Sequence, residues 1–229
     1  MKDVTVVMAH GGWADGSSWA RVIAGLAAHG VNSVAAQLPL TDLADDVAAL
    51  NRTIDRTSGP VLLVGHAYSG AVIGLVRPER VKALVYINSF APDDGESLTD
   101  LFFRAAPHPL APKLAPDGDN LLWLPDDAFA TAFAPNASAE EHIVLAATQR
   151  PLRFSCMTVA TAGPVLWRQV PTWYLVAEDD RMVVPDTQRF MAERMNATIK
   201  AHPVDHAPLL TASDAVVDLI CEAIGALAG

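Results

Sequence analysis

Val61-Leu62-Leu63-Val64-Gly65-His66-Ala67-Tyr68-Ser69-Gly70 is the stretch from which the fold can be read. Its unbroken apolar start suits a strand covered on both faces, as in a parallel sheet. The run enters Gly-x-x-x-Gly directly, and a short helix is expected at 68–75. Strand, sharp turn and helix together have the form of a nucleophile elbow. The glycines have a steric reason: the residue at the tip sits in a strained turn, and side chains two places either side would crowd it. The turn lifts the tip side chain beyond the sheet edge, at a helix N-terminus whose dipole favours negative charge. The tip here is Ala67, which has no nucleophilic atom. A plain strand–helix junction can also need glycines, so the motif takes its weight from what accompanies it.

Outward from this stretch the chain alternates short β-branched runs with amphipathic ones, which predicts parallel strands joined by helices. Strands are expected at 4–9, 31–37, 60–64 and 81–88. Helices are expected at 16–29, capped by Asp15 or Ser17 and stopped by Gly30, and at 43–56. From about Phe90 to Arg168 the rhythm breaks, with Pro107, Pro109, Pro112, Pro116, Pro125 and Pro135 punctuating the segment. A structureless loop of that length does not suit a compact domain, so the segment is expected to be a helical cap. The alternation resumes with strands at 172–177 and 198–202 and helices at 186–194 and 213–226. The fold class is therefore α/β: one domain over 1–229, with a mostly parallel sheet of about six strands, flanking helices, a core of 1–89 and 169–229, and a cap of about 90–168.

Composition narrows the partners. Of 229 residues, 51% are hydrophobic and 18% charged, and the net charge is −10. That is too apolar for disorder, and it lacks the basic patch that a nucleic acid or an anionic membrane would require. Cys156 and Cys221 are too few for a disulfide framework and are expected to be free thiols. The apolar run near the N-terminus breaks at His10-Gly11-Gly12, too early for a secretory leader, and no stretch is long enough for a membrane span. The sequons at Asn51, Asn136 and Asn196 are then chance matches, and a cytoplasmic location is expected. No metal-ligand spacing and no Gly-x-Gly-x-x-Gly loop occurs, so neither metal nor cofactor is implied. Monomer and homodimer both stay open.

Three further signals fall at strand ends. His10-Gly11-Gly12-Trp13 follows the first strand, where glycines let backbone amides face the sheet's carboxyl edge. The amide of Gly12 or Trp13, with that of Tyr68, would form an oxyanion hole, and His10 reads as structural or as a rim residue. After 172–177 come Glu178, Asp179 and Asp180. A carboxylate there can accept from a histidine ring and fix its tautomer. Asp180 is the first choice, then Asp179, then Glu178. His206, between the last strand and the last helix, is the expected base. The order nucleophile, acid, histidine is the one an α/β-hydrolase uses. His202 reads as packing, and His108 and His142 as cap residues.

These residues resemble the α/β-hydrolase superfamily, in particular its small bacterial esterase-like members, which are similar to plant methylesterases and hydroxynitrile lyases. The resemblance spans almost the whole chain, through residues 10–19, 65–73, 89–93, 172–177, 180–182 and His206. It implies serine where Ala67 stands, an acid at Asp180, a histidine at His206 and oxyanion amides at Gly12 and Tyr68. It also implies hydrolysis of a carboxylic ester or lactone through an acyl-enzyme, which this chain cannot form at 67. The cap matches least specifically, so family likeness does not name the substrate.

Ala67 is open to three readings: a serine hydrolase whose nucleophile was removed, a natural small-molecule-binding member, or a lyase, isomerase or cofactor-free oxygenase working through His206. Ser69, two residues along, is expected to point away from the tip. Trp13, Phe103, Trp123, Phe129, Phe133 and Trp167 are the expected substrate contacts, suited to a small or medium apolar ester or lactone. Aromatics at helical spacing also pack a cap onto its core.

Overall fold

The computed structural model describes residues 4–227. Residues 1–3, the start of the stretch read for a leader, lie outside it. β1 (Thr5–Ala9) runs through a 3-10 turn at Gly16–Trp19 into α1 (Ala20–Ala28). The Asp15 carboxylate caps that turn by accepting from the Ser17 amide. Gly30, at φ 71°, follows the end of α1 in the left-handed region. Next come β2 (Ser33–Ala36), α2 (Leu43–Asp55), β3 (Val61–His66), α3 (Ser69–Ile73) and β4 (Val81–Ile87).

Between β4 and the next long strand lie α4 (Leu98–Phe102), β5 (Leu121–Leu122), α5 (Asp126–Ala128), a π-helical turn at Phe129–Phe133, α6 (Ala139–Thr148), β6 (Leu152–Arg153) and α7 (Ser155–Thr158). β5 and β6 pair antiparallel in a separate two-stranded sheet. The chain then completes β7 (Thr172–Ala177), α8 (Pro185–Arg194), β8 (Thr198–His202), α9 (Pro208–Thr211) and α10 (Ser213–Ala226).

The main sheet has six strands in the order β2-β1-β3-β4-β7-β8, and every neighbouring pair is parallel. Alternation along its strands sends side chains into two cores. Val7, Leu63, Leu84 and Tyr174 pack toward Leu50 of α2 and Met191 of α8. Val6, Leu62, Val85 and Leu175 pack toward Leu26 of α1 and Ile220 of α10. β3 is buried at all six positions, as its uninterrupted apolar start requires. The chain leaves β1 toward β2 on one side and returns to β3 on the other. The crevice beyond the carboxyl ends of β1 and β3 is therefore the topological switch point, where open α/β sheets bind ligands.

The expected strand at 31–37 is shorter than its sequence pattern, Ser33–Ala36, and the expected helix at 68–75 is trimmed to Ser69–Ile73. No helix among the described residues is long and apolar enough to cross a membrane.

Candidate active site

The elbow is built as its glycines demand. Ala67 has φ 49°, in the left-handed region that costs an L-residue energy. A Cβ on Gly70 would lie 2.0 Å from the Phe90 carbonyl oxygen and 2.3 Å from Ser89 Oγ, so only glycine lets that segment pass. Hydrogen bonds hold the strained turn: the Ala67 carbonyl accepts from Ser89 Oγ at 2.7 Å and from the Phe90 amide at 2.9 Å. Ser69 is fully buried. Its Oγ donates to the Ala9 carbonyl at 2.7 Å and accepts from the His66 amide at 2.9 Å, so it ties the elbow to β1 and does not reach the tip.

Beside the tip, His206 Nδ1 lies 2.8 Å from Asp180 Oδ2, and both side chains are buried. Asp180 has no freedom to turn. Its Oδ1 accepts from the Met182 and Val183 amides at 2.7 and 2.9 Å, and its Oδ2 accepts from Asn88 Nδ2 and Gln188 Nε2, both at 3.0 Å. A carboxylate held this way draws the Nδ1 proton and leaves the lone pair on Nε2. Asn88 Nδ2 also donates to the His206 carbonyl at 2.9 Å. Asp205, next to the histidine, accepts from the Asn136 amide at 2.9 Å and from Thr211 Oγ1 at 2.7 Å, so it joins the loop to the segment between β4 and β7. Of the other acids weighed from sequence, Asp179 is exposed and Glu178 is paired with Arg189.

Two more histidines lie beside the site, and neither lines the cavity that opens on Ala67. His10 is buried, its Nε2 accepts from the Leu38 amide at 3.0 Å, and burial lowers its pKa to about 4. His66 stands 5.1 Å from the His206 ring, centroid to centroid, and bonds the His206 carbonyl at 2.7 Å through Nε2. Burial, and then the neighbouring His206, push its pKa down to about 3. Both are neutral supports. Tyr68 donates its hydroxyl to Asp46 Oδ2 at 2.7 Å, and burial raises the Asp46 carboxyl to about 6. This anchors the residue after the tip to α2.

A cavity of about 680 Å³ opens on Ala67 and His206. The sheet edge contributes Gly12, Trp13, Tyr68, Met182 and Val183, and the segment between β4 and β7 contributes Phe102, Phe103, His108, Leu122, Phe154 and Met157, among others. The amides of Gly12, Trp13 and Tyr68 make no hydrogen bond to other described residues, and Gly12 and Tyr68 line the cavity beside the tip. Trp13 is fixed by donating Nε1 to the Leu122 carbonyl at 2.9 Å.

Of the aromatic residues expected to touch substrate, Trp13 and Phe103 line this cavity, and four do not. Phe133 packs edge-on against the His206 ring at 5.2 Å and faces a second cavity of about 330 Å³ behind Trp13. Phe129 is wholly buried against Leu124 and Met182. Trp167 is buried in the core and donates Nε1 to the Pro92 carbonyl at 3.0 Å. Trp123 is 46% exposed, with Nε1 on Asp117 Oδ2 at 3.0 Å. Helical spacing cannot separate an aromatic that lines a pocket from one that fills the layer behind it. Asn88 and Gln188 were missed from sequence. A polar residue following the apolar strand β4 was the one available signal for Asn88; Gln188 gave none.

Known proteins resemble the chain over most of its length. The model of a family described as "Alpha/beta hydrolase family" matches residues 6–219. An Aspergillus novofumigatus (strain IBT 16806) protein described as alpha/beta hydrolase nvfD is 29% identical over 210 residues, 84% of this chain and 82% of that protein. An extracellular alpha/beta-hydrolase from a Paenibacillus species superimposes with a TM-score of 0.80 at 20% identity, covering 96% of this chain and 98% of that one. A pyrethroid hydrolase from Sphingobium faniae JZ-2 gives a TM-score of 0.81 at 19% identity, covering 96% of each chain. At these identities the two solved structures share the fold.

Proposed function

The chain belongs to the α/β-hydrolase family, and from that premise we propose that its site is that of a serine-type carboxylic ester or lactone hydrolase, held nucleophile-free by Ala67. One observation carries the reading: Ala67, His206, Gly12 and Tyr68 all line one cavity, while Asp180 holds the far side of the histidine ring. Acyl transfer uses a base, its orienting acid, a pair of oxyanion amides and a nucleophile position, and these places converge here.

With a hydroxyl at 67, His206 Nε2 would take its proton as the oxygen attacks the substrate carbonyl. The Gly12 and Tyr68 amides would hold the oxyanion, and Asp180 would keep the ring oriented and stabilise the imidazolium. His206 would pass the proton to the leaving group, then draw one from water to release the acid. With a methyl group at 67, binding and oxyanion effects remain, and loss of a triad serine costs on the order of a millionfold in turnover. A cavity of about 680 Å³ with apolar walls suits a small or medium apolar acyl ester or lactone. The name pyrethroid hydrolase on one similar fold is in keeping with that class.

Restoring the hydroxyl tests the reading. The Ala67→Ser protein is expected to hydrolyse p-nitrophenyl butyrate or a short lactone at least about a thousandfold faster than the unaltered chain. A folded Ala67→Ser protein inactive on aryl esters, short-chain esters and lactones alike would sink it.

A further inference from the structure

Removing the hydroxyl at 67 changes more than it deletes. Among the described residues nothing hydrogen-bonds His206 Nε2, while Nδ1 is tied to Asp180 and the ring is wedged by Phe133 at 5.2 Å and His66 at 5.1 Å. Ser69, the nearest serine in sequence, has its Oγ committed to the Ala9 carbonyl and the His66 amide. The lone pair on Nε2 is thus free, fixed in direction, and set in an apolar cavity beside two unpaired amides. A base facing an anion-binding pair is what abstraction of a proton next to a carbonyl requires.

We infer that the chain, as it stands with Ala67, is a general-base catalyst acting on an apolar carbonyl compound with an acidic α C–H. The inference rests on the same site as the hydrolytic reading but not on its chemistry. His206 Nε2 takes the α proton, the C–H electron pair becomes the C=C bond of an enolate, and the carbonyl π pair moves onto oxygen. The Gly12 and Tyr68 amides hold that oxygen. Where a C=C lies next to the α carbon, the enolate is conjugated and the imidazolium returns the proton at the γ carbon, which moves the double bond. Where the β carbon carries a leaving group, the oxygen pair re-forms C=O and the enolate C=C pair moves to the α–β bond. The group departs with its electron pair and takes the imidazolium proton, and the product is an α,β-unsaturated carbonyl compound. Neither route needs an oxidant or a nucleophile on the protein. The methyl group of Ala67 matters because a serine hydroxyl would donate to Nε2 and occupy the lone pair, and would offer a competing attack on the same carbonyl.

The probe is 5-nitrobenzisoxazole, a flat apolar molecule whose ring opens when a base removes its C3 proton. The C–H pair becomes the third C–N bond, the N–O bond breaks, and the coloured phenolate carries the charge. The unaltered chain is expected to open it with saturation kinetics, on the order of a hundredfold faster than His206→Gln and faster than Ala67→Ser. Opening no faster than that given by an equal concentration of free imidazole would overturn the inference without reference to any variant, so a misfolded His206→Gln protein cannot obscure the result. Equal rates for the unaltered chain and Ala67→Ser would overturn it too. Ester hydrolysis by Ala67→Ser is read separately. If that appears and ring opening does not, the hydrolase reading stands alone; if ring opening appears without hydrolysis, the base chemistry stands and the hydrolase reading falls.

Discussion

Asn88 follows the last residue of β4 with φ 34°, a left-handed backbone that asparagine tolerates better than most residues. Its amide group faces Asp180 Oδ2 and the His206 carbonyl, so one side chain fixes the acid and the loop of the base together. It positions other groups and does not itself face the cavity. An Asn88→Asp substitution keeps the shape but sets a second carboxylate beside Asp180. In the Ala67→Ser background, kcat for hydrolysis is then expected to fall at least about tenfold with KM little changed, because the new carboxylate cannot donate to Asp180 Oδ2 or to the His206 carbonyl and leaves acid and base unaligned. A kcat equal to that of the parent would contradict this role. Ala67, Gly70, Asp180 and His206 were legible in the sequence because each is fixed by something local: a sharp turn, or a place just beyond a strand. Asn88 and Gln188 were not, since their work depends on which distant residue the fold brings opposite.

At the scale of elements, α6 contrasts with the strands beneath it. None of its ten residues is buried, and Ile143 and Val144 are 70% and 54% exposed. It is held by its Ser138 capping box, by His142 on the Ala134 carbonyl at 2.8 Å, and by Glu141 on Arg21 at 2.6 Å. The Arg21–Glu141 pair is exposed, and such pairs add about 0–1 kcal/mol. An element with few buried contacts opens at low free energy. Amides of 139–148 are therefore expected to exchange with deuterium at least about a hundredfold faster than those of β3, as read by mass spectrometry of peptic fragments. Equal protection in α6 and β3 would refute this. The same contrast explains what the sequence left unread here. The inner strands β1, β3, β4 and β7 announce themselves by apolar runs, whereas the helices between β4 and β7 are short, proline-broken and half exposed, so periodicity indicated a helical segment without assigning its aromatic faces.

For the whole molecule, buried titratable groups set the response to acid. His10 and His66 have folded pKa values of about 4 and about 3, below the ordinary 6.5, because burial disfavours their charged forms. The stability they contribute is complete above about pH 6.5 and is lost as pH falls toward 4. Asp46 has the opposite sign. Its folded value of about 6 exceeds the ordinary 3.8, so its contribution is present below about pH 4 and is lost as pH rises through 6. Each group changes stability by at most about 1.4 kcal/mol per pH unit, so between pH 6 and 4.5 two histidines oppose one aspartate and the net falls with acidification. The urea midpoint is expected to be lower at pH 5 than at pH 7, and the difference should shrink in His10→Gln. A midpoint equal or higher at pH 5 would count against these assignments.

Synthesis adds an order in time to this arrangement. Gly12, Ala67, Asp180 and His206 leave a ribosome in that sequence, so the strained turn and its strand partner β1 exist before the base does. His66 and Asn88, both buried, each spend a hydrogen bond on the backbone carbonyl of residue 206. Until that residue is made, two polar side chains at the heart of the sheet edge lack the partner they were shaped for. The loop that makes the pocket reactive is thus also its keystone: the nascent protein cannot settle its centre before it acquires its chemistry.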